Sequence, residues 1–327
     1  MEELVQKFPT QIEDALTLGK SFQFKDNIFP INNVVISGLG GSGIAASIVD
    51  NYVKDQINIP LIVNKTYFLP KFVNKNTLVI ISSYSGNTEE ALECLKQAIE
   101  KHATIICITS GGAILELAKN NNIDCIQVPC GFPPRACFGF TFVEVLFTLN
   151  HFELISNKFI SELSISQQKL QDNQEVIKEI ATNIATKIYN KIPVIYIESD
   201  YEGVAVRWRQ QLNENSKMLA WHNAIPEMNH NELVGWTEYN DNLIVLFVRN
   251  ESDYIRNKHR FEINKEVISR FTPHILDIYS EGDNFIERAL YLIHLGDWIS
   301  VFTGYKRNHD ITEVNVIDYL KGQLAKA

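Results

Sequence analysis

Short runs of apolar residues alternate with amphipathic segments along most of the chain. Continuous apolar runs are typical of strands buried on both faces of a sheet, and the segments between them show the period of helices. In the first half, strands are predicted at 33–40 (with the following turn), 59–64, 76–83, 103–110 and 124–129, and helices at 43–53, 87–102 and 113–121. This alternation predicts a parallel sheet covered by helices.

The stretch from about 140 to 190 is helical and more polar, and we expect it to connect two domains near 152–185. A second alternation follows, with strands at 192–199, 242–248 and 273–280 and helices at 203–218, 262–271 and 286–305. Strand, small-residue turn and helix follow one another in both halves. The sequence therefore predicts an α/β protein of two related lobes, each a mainly parallel sheet flanked by helices, with domains at 1–152 and 153–327.

Composition narrows the classes of protein to which the chain can belong. A length of 327 residues favours two cores, and a net charge of −9 without a long basic run argues against a nucleic-acid-binding protein. No run of about 18 apolar residues occurs, and the acidic N-terminus lacks the features of a signal peptide. The five cysteines include no Cys-x-x-Cys pair, so we expect buried free thiols. These features predict a cytoplasmic protein without a nucleic-acid or membrane partner.

The first glycine-rich stretch, GLGGSG at 38–43, follows a predicted strand and opens a helix. Glycines leave backbone N–H groups accessible to an anion. The stretch matches the dinucleotide pattern G-x-G-x-x-G, but the next strand ends at Asn64, where that fold places an acidic residue for the ribose. We therefore expect no nicotinamide or other cofactor. Contact with a sugar or phosphate is favoured, and a tight structural turn is the alternative.

The stretch SSYSGNTEE at 82–90 leaves another strand and leads directly into a helix. Ser83, Ser85 and Thr88 supply hydroxyls, and Gly86 permits a sharp turn. Helix capping would explain one hydroxyl, that of Thr88, but not the whole set. The Gly-Lys-Ser/Thr signature of a P-loop is absent. Hydroxyls and N–H groups at a helix N-terminus predict a phosphate site.

Two further segments contain candidate catalytic residues. In GFPPRACFG, at 131–139, two prolines stiffen the approach to Arg135, which we expect to contact an anion; a structural salt bridge is the alternative. The segment 213–236 contains Glu214 and His230 as an acid/base pair. His222, Glu227 and His230 could bind a metal in principle, but their spacing matches no strong zinc signature, so no metal is expected.

Taken together, these stretches resemble a known family. SSYSGNTEE is similar to the phosphate loop of sugar isomerase (SIS) domains. GLGGSG, GFPPRA, NENSK and PEMNHNE, in this order from about 35 to 321, resemble the bifunctional phosphoglucose/phosphomannose isomerases. The resemblance implies two SIS-type lobes and an enzyme that interconverts glucose 6-phosphate, and mannose 6-phosphate, with fructose 6-phosphate through a cis-enediol without a metal.

The resemblance also implies roles for individual residues. Gly41 and Ser42 would lie beside the sugar, and the three hydroxyls of the phosphate loop would bind the substrate phosphate. Glu214 would be the general base, His230 would serve ring opening, and Arg135 would stabilise the enediolate. Lys321 is the candidate for the C-terminal lysine of the family's site, with Lys306 and Lys326 as alternatives.

Assembly and the choice of substrate leave alternatives open. Related isomerases place the ring-opening histidine in the partner's site, which implies a homodimer with shared active sites. The apolar residues around His230 favour an interface, although they could line their own core: Trp221, Ile225, Met228, Leu233 and Trp236. A non-catalytic sugar-phosphate-binding regulator and an enzyme acting on an amino-sugar phosphate are the competing functions.

Overall fold

The computed structural model describes residues 1–26, 29–324 and 326. Contacts divide the chain into two compact units. The N-terminal unit contains Gln6–Asp172 and Gly282–Leu290, and the C-terminal unit contains Met1–Val5, Asn173–Glu281 and Tyr291–Ala327. The change between Asp172 and Asn173 falls inside the connector near 152–185, and the domain boundary at 152/153 stays a prediction.

Helices and strands alternate in both units. The strands are β1 Asn33–Ser37, β2 Leu61–Asn64, β3 Thr77–Ser82, β4 Thr104–Thr109, β5 Asp124–Gln127, β6 Ile192–Glu198, β7 Trp221–Ile225, β8 Leu243–Arg249 and β9 Ile275–Tyr279. The helices are α1 Glu2–Gln6, α2 Phe8–Ser21, α3 Gly40–Val53, α4 Glu89–Glu100, α5 Gly112–Asn120, α6 Phe138–His151, α7 Lys158–Asp172, α8 Gln174–Ile188, α9 Glu202–Ser216, α10 Ile255–Ile268, α11 Phe285–Lys306 and α12 Asn315–Leu324.

The sheet of the N-terminal unit is parallel throughout, with the order β2-β1-β3-β4-β5. Every residue of β3 is buried, which explains its unbroken apolar run. One face of the sheet packs against α4 and α5 through Val79, Cys94, Leu95, Cys107 and Ala118. The predicted strands and helices of this half are therefore present, with small shifts at their ends.

The sheet of the C-terminal unit is also parallel, with the order β7-β6-β8-β9. Its edge strand β7 was not predicted, because its polar residues His222 and Asn223 concealed the strand. Ile225 and Met228 are fully buried in the core beside Tyr196 and Phe247.

This core bears on the predicted interface around His230. Leu233 and Trp236 pack against the same core, and only Trp221 of the five apolar residues is exposed, at 38%. Most of the apolar residues in this segment therefore fill the interior of their own unit, which was the alternative to an interface.

The two sheets follow the same plan. The order β7-β6-β8-β9 repeats β2-β1-β3-β4, so the loop after β8 is the counterpart of the loop after β3. In the C-terminal unit this loop contains Asp253, which is buried and contacts the buried Glu198 at the end of β6. Burial, aided by Glu198, raises the pKa of Asp253, whereas bonds from Asn250 oppose the rise. Here acidic groups replace the hydroxyls of the first unit.

The thiols and the helices also bear on the expected class of protein. All five cysteines are free; Cys94, Cys107 and Cys137 are buried, but Cys130 is exposed, contrary to the expected burial. No helix within the described residues is long and apolar enough to cross a membrane.

Helix α6 contains a buried acidic residue in an apolar setting. Glu144 is fully buried, and neither of its carboxyl oxygens has a hydrogen-bond partner. Burial raises the pKa of Glu144 to about 8. The side chain is therefore a neutral acid in the folded protein at neutral pH, because burying an unpaired charge is costly.

The raised pKa of Glu144 predicts a loss of stability as the pH rises. Between its unfolded pKa of about 4.3 and its folded pKa of about 8, the folded chain binds more protons than the unfolded chain. The free energy of unfolding should fall by at most about 1.4 kcal/mol per pH unit across this window. Melting curves of Glu144→Gln from pH 5 to pH 9 should show a weaker decline than the wild type.

The matched control is Glu116→Gln, which alters an exposed carboxylate on α5. It should keep the wild-type slope. Equal slopes for wild type and Glu144→Gln would show that Glu144 does not titrate in this range.

Candidate functional site

The phosphate loop between β3 and α4 turns sharply at Gly86. The φ angle of Gly86 is +67°, and an added Cβ would lie 1.8 Å from the carbonyl oxygen of Gly111. No side chain fits at this position. The predicted turn at Gly86 is thus also a point of close approach to the neighbouring β4–α5 loop.

The β4–α5 loop holds the phosphate loop in place. The Ser110 backbone N–H and hydroxyl both donate to the carbonyl of Tyr84, at 2.9 and 2.7 Å. The Ile114 N–H donates to the carbonyl of Gly86 at 2.9 Å, and the Ala113 N–H donates to the side chain of Asn87 at 3.0 Å. The loop is therefore fixed by its own unit without a ligand.

The hydroxyls of the phosphate loop are arranged differently from simple capping residues. Thr88 occupies the N-cap of α4, but its side chain makes no capping bond. Its hydroxyl instead lies 2.8 Å from that of the buried Ser83. Ser85 is exposed and accepts a bond from the N–H of Asn87 at 3.3 Å. The hydroxyls thus remain near the positive end of the helix dipole, which favours an anion.

The GLGGSG stretch packs against the loops that follow β3 and β5. An added Cβ on Gly38 would lie 2.8 Å from the carbonyl oxygen of Ser82, and one on Gly41 would lie 3.3 Å from that of Pro134. Ser42 is buried beside Gly38. Gly38 is therefore needed for close packing at the carboxyl edge of the sheet, and Gly41 allows a tight approach to Pro134.

Arg135 lies on a short 3₁₀ helix, Pro134–Ala136, and is buried. Tyr84 of the phosphate loop connects to the preceding segment, because its hydroxyl accepts from the N–H of Phe132 and donates to the carbonyl of Pro129, both at 3.0 Å. Burial raises the pKa of Tyr84 to about 12, so it remains a neutral donor. Within the N-terminal unit, the structure therefore brings together the loops containing Gly41, Ser42, Arg135 and the phosphate loop.

In the C-terminal unit, Glu214 lies on the last turn of α9 and is half-buried. It lines a cavity of about 280 Å³ whose other lining residues are Asn213, Lys217, Glu313, Val314, Asn315, Val316 and Ile317. The Lys217 ammonium donates to the backbone carbonyls of Glu214 and Glu313. Lys217 ends α9 with a φ of +52°. The position of Lys217 in the cavity was not predicted, because a lysine at the C-terminal end of a helix is common and does not by itself indicate a site.

A buried ion pair fixes the helix that carries Glu214. The Arg207 guanidinium donates twice to the carboxylate of Asp297 on α11, at 3.0 and 2.6 Å, and Gln211 donates to the same carboxylate at 2.9 Å. Removing one partner from such a buried pair typically costs about 3–5 kcal/mol. The register of α9 against α11 is therefore strongly specified.

His230 and Lys321 are exposed residues outside the lining of the cavity at Glu214. His230 ends the 3₁₀ helix Glu227–His230 and is exposed. Lys321 is exposed on α12, none of whose residues is buried. Neither residue is among the described residues that line the cavity. The grouping of Glu214, His230 and Lys321 stays a prediction.

The candidate metal ligands do not form a cluster. His222 lies 3.6 Å from Glu202. Within residues 1–26, 29–324 and 326, no group of three or more His, Cys, Asp or Glu side chains is arranged to hold a metal ion.

Comparison with family models identifies both halves of the chain. Residues 27–131 match the SIS domain, and residues 177–324 match the bacterial phospho-glucose isomerase C-terminal SIS domain. Two solved structures share the fold at low identity. They are the C-terminal domain of glucosamine-fructose-6-phosphate aminotransferase from Francisella tularensis (TM-score 0.75, 14% identity, 96% of this chain and 98% of that one) and tagatose-6-phosphate ketose/aldose isomerase from Escherichia coli (TM-score 0.69, 14% identity, 95% and 93%). The predicted fold class, α/β with two SIS-type lobes, is confirmed.

Curated relatives extend over almost the whole chain. A bifunctional phosphoglucose/phosphomannose isomerase from Caldicellulosiruptor bescii is 38% identical over 100% of this chain and 99% of its own. One from Aquifex aeolicus is 36% identical over 93% and 95%. A D-glucosamine-6-phosphate 4-epimerase from Sulfolobus acidocaldarius is 33% identical over 81% and 82%. The chain belongs to the bifunctional phosphoglucose/phosphomannose isomerase family.

Proposed function

We propose that this enzyme interconverts glucose 6-phosphate, and mannose 6-phosphate, with fructose 6-phosphate. The observation that carries the proposal is the position of Glu214, a carboxylate on a rigidly held helix at the edge of a cavity. The names of the relatives supply the substrate class.

Substrate binding is assigned to the N-terminal unit. Ser83, Ser85 and Thr88, with the first N–H groups of α4, bind the phosphate, and Gly41 and Ser42 lie beside the sugar. Holding the remote phosphate orients the reacting carbons. The hydrogen bonds that already fix the phosphate loop support this role, because a preformed loop loses little entropy when it binds.

The chemistry is assigned to a single base. Glu214 removes the C2 proton of the aldose and returns it to C1, through a cis-enediol. Arg135 stabilises the charge that develops on the enediolate oxygens. The enediol has no stereocentre at C2, so one base serves both epimers when the C2–C3 bond rotates. None of these steps requires a metal ion, and full activity is expected in EDTA.

Two further residues complete the proposed machinery. His230 moves a proton between the ring oxygen and the C1 hydroxyl and so opens the sugar ring. Lys321 is the proposed C-terminal site lysine, with Lys306 and Lys326 as alternatives.

Replacing Glu214 with Gln should abolish isomerisation while substrate binding is retained. The amide keeps the shape of the side chain but cannot accept the proton, and loss of a general base typically costs about 10²–10⁴-fold in rate. A coupled assay with glucose 6-phosphate and mannose 6-phosphate measures kcat. Glu202→Gln, at the other end of α9, is the control and should stay near wild type. A Glu214→Gln variant with more than about a tenth of wild-type kcat would exclude Glu214 as the base.

Replacing Ser85 or Thr88 with Ala should raise KM more than it lowers kcat. The phosphate is bound similarly in the ground state and the transition state, so its loss is mainly uniform binding. Steady-state kinetics with glucose 6-phosphate make the measurement. Ser164→Ala serves as the control, because that exposed hydroxyl donates to its own helix α7. An unchanged KM in a folded variant would refute the phosphate-loop assignment.

An amino-sugar phosphate is the second candidate substrate. The observation that favours it is the relative named D-glucosamine-6-phosphate 4-epimerase, at 33% identity. Incubation with glucosamine 6-phosphate, followed by ¹H NMR, tests for a new amino-sugar phosphate. Turnover of glucosamine 6-phosphate without turnover of glucose 6-phosphate would replace the first proposal.

We also infer that the enzyme is a cytoplasmic homodimer. Its free thiols favour a reducing compartment. The helix α12 supports assembly, since Val316, Tyr319 and Leu320 are 82%, 69% and 56% exposed. A cluster of exposed apolar side chains is typical of a surface that another molecule covers. In a two-fold dimer each contact across the interface occurs twice, which allows two shared sites.

Mixing two inactive variants tests whether His230 acts in its partner's site. Subunits of Glu214→Gln and His230→Ala, after reversible dissociation, should form mixed dimers with one intact site and one doubly damaged site. Random pairing makes half the dimers mixed, so activity should recover to about a quarter of wild type. Native mass spectrometry verifies the exchange, and full exchange without recovery would show that both residues act within one subunit.

A further inference from the structure

The segment that carries His230 is held by the residues on either side of it. Met228 is buried in the core, and Asn229 donates to Asn264 on α10 at 2.6 Å. Asn231 accepts from the N–H of Glu232 at 2.6 Å. His230 itself is exposed. The neighbouring side chains therefore anchor the backbone, while the histidine is left to face solvent.

Glu232 makes the strongest of these anchors. Its Oε1 accepts from the hydroxyl of Tyr196 at 2.6 Å and from the indole N–H of Trp221 at 2.9 Å, and its Oε2 accepts from the amide of Asn223 at 2.7 Å. Tyr196 lies on the central strand β6, and the other two donors lie on the edge strand β7. One carboxylate thus joins the His230 segment to both strands.

The donor groups of Trp221 and Asn223 require an oxygen acceptor at both positions of the Glu232 side chain. An indole nitrogen can only donate, so it requires an oxygen at Oε1. The amide of Asn223 cannot turn over, because its Oδ1 already accepts from the N–H of Ala224 at 2.8 Å. Its NH₂ group therefore faces Glu232 and requires an oxygen at Oε2. A carboxylate meets both demands, whereas the amide of a glutamine would place one NH₂ group against a donor.

Tyr196 strengthens the arrangement from inside the core. Its hydroxyl accepts from the indole N–H of Trp236 at 3.1 Å, which directs its own hydrogen to Glu232. Burial, together with the bond to Glu232, raises the pKa of Tyr196, so it remains a donor at all working pH values. Charge-assisted bonds of this kind are about twice as strong as neutral ones.

We propose that Glu232 is a positioning residue that holds His230 in its working place by accepting hydrogen bonds from Tyr196, Trp221 and Asn223. This inference rests on the ring-opening role proposed for His230. The Glu232 carboxylate accepts three hydrogen bonds from these donors. Glu232 acts by fixing the 3₁₀ turn that follows the histidine, Glu232–Gly235, against the sheet.

Glu232→Gln should lower kcat/KM for glucose 6-phosphate by about 10- to 100-fold, as expected when a catalytic group is displaced by about 1 Å. Because Glu232 acts through His230, the double variant His230→Ala/Glu232→Gln should be within about twofold of His230→Ala alone. A purely structural role would multiply the two losses. Multiplied losses, or an unchanged Glu232→Gln variant, overturn the proposal.

Exchanging the carboxylate and the amide between positions 232 and 223 should restore the activity lost in Glu232→Gln. Asn223→Asp combined with Glu232→Gln places an acceptor opposite the new NH₂ group, and it should recover most of the lost activity. Glu238→Gln, the same change at an exposed position six residues on, is the control. If Glu232→Gln does not fold, Trp221→Phe removes a single donor and should give a smaller loss that likewise disappears in the His230→Ala background. Failure of the swap to recover activity, or additive loss in the Trp221→Phe pair, contradicts the proposal.

NMR of ¹⁵N-labelled protein separates this inference from the proposed function. In Glu232→Gln, the indole N–H of Trp221 should exchange faster with water, and the backbone amide of His230 should become less ordered. These signals change whether or not the protein isomerises glucose 6-phosphate. Unchanged indole exchange and unchanged order at His230 would refute the anchoring role even in an active enzyme.

Discussion

The pairing of β1 with both β2 and β3 is the constraint on which the N-terminal unit depends. Ile36 of β1 lies opposite Val63 of β2 on one side and Ile80 of β3 on the other. Because β1 lies between them, the connection from β2 to β3 must cross over β1. Connections between parallel strands are almost always right-handed, so the helices after β1 and β3 leave on opposite faces. In sheets of this kind, ligands bind at the carboxyl edge where the strand order reverses, which here is at the loops after β1 and β3. Gly38 packs closely against Ser82 at the end of β3, and Gly86 packs closely against Gly111 in the β4–α5 loop.

Much of this architecture could be predicted because the signal is local. The apolar run of β3, the glycine at the turn and the hydroxyls after it all lie within a dozen residues. The edge strand β7 was missed because His222 and Asn223 interrupt its apolar pattern, and an edge strand needs only part of that pattern. The start of α10 at Ile255, seven residues before the predicted start, was concealed by a first turn that contains two basic residues, Arg256 and Lys258. The contacts of Glu232 and Asp297 join distant positions, and no local period indicates them.

Three buried or partly buried carboxyl groups show how the surroundings set the effect of an acid on stability. Asp297 and Glu232 each accept three hydrogen bonds, and each fixes an element that carries a proposed catalytic residue. Glu144 has no partner, and its pKa rises until the group is neutral. A buried carboxyl group thus holds an element in place where hydrogen-bond donors surround it, and it destabilises the ionised form where they do not.

The acidic loop after β8 has a consequence for stoichiometry. It occupies the same place in its sheet as the phosphate loop does in the other, yet Asp253 and Glu198 already crowd one another there. A phosphate dianion bound there would be repelled by these two carboxyl groups, whose own charges already repel one another. The second lobe thus keeps the strand order of the first but has acidic side chains at the corresponding edge of its sheet, so the proposed phosphate site implies one bound sugar phosphate per chain.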